Sequence, residues 1–136
     1  MRVFECNTLL IDFFKDDNFL LVKRQDSNKT DIDEYKKQIR EWRLIIEKYR
    51  PEKQLVDYSE YSFPITPELQ QFTNENLLKP AYGAGIRKVA FLIAHDLFAQ
   101  MSVEQIMKQD TGKIFEIRYF DNFEKAKDWL LMKVNS

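Results

Sequence analysis

Gln54-Leu55-Val56-Asp57-Tyr58-Ser59, followed after a short interval by Phe63-Pro64-Ile65-Thr66-Pro67-Glu68-Leu69, decides how this chain is read. The first string is an apolar strand that turns polar at its end. The second is a helix start. Thr66 offers a side-chain oxygen to the first free amides, Pro67 has the fixed φ suited to the first helical position, and Glu68 favours the positive end of the helix dipole. A strand, a loop and a helix in that order form the repeating unit of an α/β sheet. In such sheets, ligands and partners dock beyond the carboxyl ends of the strands.

Towards the C-terminus, Leu69, Phe72 and Leu77 give the helix an apolar face, and Lys79-Pro80 with Gly83-Ala84-Gly85 is expected to close it. Val89-Ala90-Phe91-Leu92-Ile93-Ala94 is a continuous apolar run, as in a strand covered on both faces. A short helix is expected from Leu97 to Met107, with Ser102 and Gln105 spaced as a capping box. From Lys113 to Phe120 the pattern alternates, with Ile114, Glu116 and Arg118 on one side and Phe115, Ile117 and Tyr119 on the other. That is a strand. Asp121 and Glu124 then open a last helix that turns Phe123, Ala126, Trp129 and Leu130 inward.

Towards the N-terminus, the helical period is clearest in Ile32, Tyr35, Ile39, Trp42, Ile46 and Tyr49, which recur at threes and fours. Thr30 or Asp31 caps this helix, Asp31 and Glu34 having capping-box spacing, and Arg50-Pro51 ends it. Its other face carries Lys36, Lys37, Arg40, Glu41 and Lys48, which reads as a solvated surface. Before it, a strand within Val3 to Asp12 and another from Phe19 to Lys23 flank the polar cluster Lys15-Asp16-Asp17-Asn18, the pattern of a hairpin. The element order is ββαβαβαβα. It implies one α/β domain over residues 1–136, built on a mixed, mostly parallel sheet with right-handed crossovers and helices packed against it.

With 136 residues, 44% of them apolar and 14% aromatic, the chain has enough material for one core without staples. Lys and Arg total 21 against 22 Asp and Glu, a formal charge of −1, and no basic stripe stands out, so nucleic acid is not expected as a partner. Cys6 is the one cysteine, which excludes an intrachain disulfide and a cysteine-rich metal site. No apolar run reaches the roughly 20 residues needed to cross a bilayer. Residues Met1 to Asn7 lack an apolar signal-peptide core. A cytoplasmic setting is therefore expected.

The single histidine, His95, excludes chemistry that needs a histidine pair, and neither a metal nor a cofactor is expected. His95-Asp96 follows an apolar strand, yet the chain has no Gly-x-Ser-x-Gly elbow, so His95 reads as a structural or surface residue. Gly83-Ala84-Gly85 precedes a strand instead of following one and is not a phosphate loop. A phospho-receiver arrangement around Asp57 is also excluded, because Lys79 falls before the next strand begins. The hydroxyl-rich loop Tyr58, Ser59, Tyr61, Ser62 and Thr66 has two readings. It is turn and cap chemistry, or a polar recognition site at a helix start, suited to an anion or a partner's carboxylate. The candidate binding residues are Asp57, Tyr58, Ser59, Tyr61, Ser62, Thr66, Glu68 and His95.

An ordered set of strings resembles the STAS superfamily, particularly its small stand-alone SpoIIAA-like branch. The set is Gln54-Leu55-Val56-Asp57-Tyr58-Ser59, Ser62-Phe63, Thr66-Pro67-Glu68-Leu69, Val89-Ala90-Phe91-Leu92, Arg118-Tyr119-Phe120-Asp121, Ala126 and Trp129-Leu130. The resemblance spans nearly the whole chain and implies a SpoIIAA/STAS-like fold. In the anti-sigma-factor-antagonist branch, a partner kinase phosphorylates a serine in an Asp-Ser-Ser-Gly-type stretch at the corresponding helix start. Here that stretch falls on Ile65-Thr66-Pro67-Glu68, which retains none of the motif's Asp, Ser or Gly. Thr66 keeps a hydroxyl that its capping role occupies. Glu68 is a fixed negative charge at the same place, or serves the helix dipole.

The resemblance implies a non-enzymatic regulatory module that binds a protein partner. The branch is also similar in topology to lipid-binding Sec14-type domains, which makes a carrier or sensor of a small apolar or lipid-like ligand the alternative. A catalytic reading requires a pocket that joins His95, Asp57 and Arg118. A homodimer through a sheet edge or an aromatic patch is compatible with either non-catalytic reading.

Overall fold

The computed structural model describes residues 1–25, 31–60, 66–94 and 116–132. Among these, six strands form one sheet in sequence order: β1 (Arg2–Glu5), β2 (Leu9–Phe14), β3 (Phe19–Gln25), β4 (Lys53–Glu60), β5 (Lys88–Leu92) and β6 (Glu116–Phe120). The β1–β2 and β2–β3 pairs are antiparallel, and β3–β4, β4–β5 and β5–β6 are parallel. The expected mixed, mostly parallel sheet is present. The expected first strand, however, is two strands. The polar stretch Cys6-Asn7-Thr8 reverses the chain, with the Cys6 amide donating to the Leu9 carbonyl at 2.9 Å, so β1 folds back on β2 as an additional outer strand. The Lys15–Asn18 turn closes β2 onto β3, and Asn18 adopts φ 51, which asparagine tolerates well.

Helix α1 (Ile32–Tyr49) starts at Asp31, whose carboxylate accepts from the Glu34 amide at 2.8 Å. It ends at Arg50, held in the left-handed region just before Pro51. Tyr35, Ile39, Trp42 and Ile46 are buried as the period requires. Ile32, expected on the same stripe, is 54% exposed, because its place in the first turn puts it at the edge of that stripe.

Helix α2 (Pro67–Thr73) and helix α3 (Lys79–Ala84) are joined by a π-helical segment, Asn74–Leu78. Lys79-Pro80 therefore does not stop the helix. Pro80 has no amide proton, and its ring crowds the carbonyl four residues back. The helix widens by one residue just before it, so that the Lys79 amide donates to the Asn74 carbonyl. The path ends at Gly85, whose φ of 117 suits a residue without a Cβ. Helix α4 (Phe123–Leu131) is capped by Asn122 in place of the expected Asp121, with Asn122 accepting from the Lys125 amide at 3.0 Å. The expected helix from Leu97 to Met107, with its Ser102–Gln105 box, lies outside the described residues.

Side chains alternate across the sheet and divide the core in two. On one face Leu9, Ile11, Leu20, Val22, Val56 and Val89 pack beneath α1 and the α2–α3 path. On the other, Phe19, Leu55, Ala90 and Leu92 meet Ala126, Trp129 and Leu130 of α4. Each fully buried aliphatic side chain of this kind contributes about 1.5–3 kcal/mol relative to exposure. Two of the polar groups that enter the core bond across it. Trp42 Nε1 donates to Gln54 Oε1 at 2.8 Å, and Lys88 Nζ donates to the Trp129 carbonyl at 2.7 Å.

Candidate functional site

Strand β4 carries its last residues to the carboxyl end of the parallel strands, and there strand alternation separates two of the candidates. Val56 belongs to the core beneath α1, and Tyr58 follows it onto that face. Asp57 follows Leu55 onto the α4 face. The Asp57 carboxylate is engaged locally, accepting from the Ser59 amide at 2.9 Å and the Ser59 hydroxyl at 2.6 Å. Asp57 lies opposite Lys23 of β3, and Lys23 Nζ is 3.5 Å from Glu60. Ser59 and Glu60 are exposed.

Thr66 is the cap that the sequence requires, its hydroxyl accepting from the Leu69 amide at 3.3 Å. Thr66, Pro67, Glu68, Gln70 and Gln71 are all exposed, while Leu69 is buried beneath them. The α2 start is thus a solvent-facing ridge fixed from below. Tyr61, Ser62 and His95 lie outside the described residues. Asp57 and Arg118 share the α4 face but sit on strands two apart and two residues out of register, Arg118 being level with Ala90 and Leu55. Strand spacing and rise put their backbones roughly 12 Å apart.

The structure adds a polar cluster that the sequence reading missed. Arg24 of β3, Gln38 of α1 and Thr8 before β2 are all buried. An Arg24 guanidinium nitrogen donates to Gln38 Oε1 at 3.0 Å, and the Gln38 amide donates to the Thr8 hydroxyl. The guanidinium carbon lies 4.9 Å from the Tyr35 ring centroid, 5.8 Å from that of Trp42 and 5.9 Å from that of Tyr58. Tyr35 continues the chain of contacts, its hydroxyl lying 2.7 Å from the Thr73 hydroxyl of α2. The cluster therefore ties β3, α1 and α2 together beneath the candidate ridge. One signal in the sequence could have located it. Leu20, Val22 and Arg24 share one strand face, and Gln38 adjoins the inward stripe of α1.

Beside Arg24, Tyr58, Phe91 and Tyr119 form a row across β4, β5 and β6, with centroid separations of 5.9 and 5.1 Å. Burial raises the Tyr58 phenol above its ordinary pKa, although the Arg24 charge and hydrogen bond oppose the rise. Burial likewise pushes Tyr119 up to about 12, with a smaller contribution from Tyr58. Both phenols are neutral at physiological pH. Among the described residues no group of three or more His, Cys, Asp or Glu side chains could hold a metal ion. No described helix is long and apolar enough to cross a membrane.

A second feature lies at the opposite end of the sheet. An open cleft of about 720 Å³ is bounded by Met1, Phe13, Phe14, the Lys15–Asn18 turn, Lys48 and Tyr49. The Phe13 and Tyr49 rings meet at 4.9 Å, and Phe14 is 40% exposed.

No family model and no curated protein matches the sequence. Among solved structures, the chain is similar to an uncharacterised protein of the DUF3478 family from Shewanella loihica PV-4, described as having a SpoIIAA-like fold. The two superpose with a TM-score of 0.59 at 18% identity, over 94% of this chain and 99% of the other. The fold of this chain is SpoIIAA-like.

Proposed function

We propose that this chain is a non-catalytic regulatory module that holds a protein partner on the end of β4 and the exposed face of α2, from Tyr58 to Phe72. The observation that supports this most is the construction of the α2 ridge. Thr66, Pro67, Glu68, Gln70 and Gln71 face solvent, while Leu69 and the Tyr35–Thr73 hydrogen bond anchor the same helix to the core. A helix anchored to the core in this way loses little conformational entropy when a partner docks. Thr66 is engaged as the cap, and the neighbouring residues differ from the phosphoacceptor motif of anti-sigma-factor antagonists, so the reading is of constant recognition and not of a phosphorylation switch. The expected cytoplasmic setting and the absence of catalysis belong to the same proposal.

Cross-linking in native lysate, followed by capture of the chain, tests this. Glu68→Lys should abolish recovery of the partner with the thermal midpoint unchanged. Equal recovery by both proteins, or no specific recovery by either, would remove the proposal's support.

The cleft at the other end of the sheet favours a second reading, as a carrier or sensor of a small apolar ligand. Its volume falls within the roughly 300–1,000 Å³ usual for small-molecule sites, and its floor is aromatic. Native mass spectrometry of gently purified protein decides this one. A retained ligand lost in Phe13→Ala supports it, whereas clean protein with no thermal shift on adding fatty acids counts against it.

A further inference from the structure

We draw no further inference here: the strongest candidate, the open cleft between the β2–β3 turn and the end of α1, sets Lys15 and Lys48 against Asp16 and Asp17 around an apolar floor, and nothing in the structure shows what covers it.

Discussion

The Tyr35 hydroxyl of α1 lies 2.7 Å from the Thr73 hydroxyl at the end of α2, and Thr73 spends its own proton on the Leu69 carbonyl at 2.8 Å. The direction of the first bond follows from the second: Tyr35 donates and Thr73 accepts. One phenol thereby pins the helix whose outer face is the proposed docking ridge.

Tyr35→Phe keeps the ring in the core and removes only that donor. The expected loss is about 1 kcal/mol, the net value of one part-buried hydrogen bond. Urea unfolding would measure it, and hydrogen exchange should show the amides of Gln70 to Thr73 opening faster than those of α1. Unchanged exchange in α2 would mean that its apolar contacts alone hold the helix.

Arg24 lies against the same tyrosine, its guanidinium carbon 4.9 Å from the Tyr35 ring centroid, and its replacement should cost more. Arg24→Met preserves most of the buried stem but removes the charge-assisted bond to Gln38, leaving a buried amide oxygen without its donor. A loss of about 2–3 kcal/mol is expected from chemical denaturation. Arg24→Lys should recover little of it, because an ammonium lacks the planar guanidinium that here meets three aromatic rings. Full recovery by lysine would show that charge alone matters at this position.

The fold and this cluster differed in how legible they were. The helix of Tyr35, Ile39, Trp42 and Ile46, the Asp31 and Thr66 caps and the Lys15–Asn18 turn each follow from local chemistry within a few residues, and all are present. The division of the first strand into β1 and β2 was missed although Asn7 is a favoured turn residue, because Cys6 and Thr8 on either side of it are weak turn formers. Their reversal is fixed by the β1–β2 pairing, which sets Glu5 opposite Leu10 and Phe4 opposite Ile11. Pro80 misled for a similar reason: proline breaks an α register, but a π segment accommodates it once Leu77 and Ala81 are buried against α1. Asp57 and Tyr58 are both candidate binding residues and neighbours in the chain. The two-residue period of a strand places them on opposite faces, a constraint already present in the spacing. The Arg24 cluster draws on residues from Thr8 to Thr73, and no single stretch of sequence displays it.

Thr66→Ala removes the hydroxyl that accepts from the Leu69 amide while leaving Pro67 and Glu68 in place. It should destabilise the protein by about 1 kcal/mol, as the loss of an N-cap usually does. Thr66→Asp should restore stability, because a carboxylate both caps the helix and favours its dipole. Equal stability of all three proteins in urea would place the helix start elsewhere.

Tyr119 makes stability depend on pH at the alkaline end. Its phenol ionises at about 12 in the folded chain, against about 10 when unfolded. Above pH 10 the unfolded chain has therefore lost a proton that the folded chain keeps. The stabilisation is complete below pH 10 and is lost as the pH rises towards 12, at a slope approaching about 1.4 kcal/mol per pH unit. The raised Tyr58 adds in the same direction. Tyr119→Phe should flatten this part of the profile measured by urea unfolding between pH 9 and roughly 11. It should also remove one late phase from the phenolate absorbance titration of the native protein. If that phase survives the substitution, the late-titrating group is Tyr58 or another tyrosine, and burial of Tyr119 is not what holds its proton.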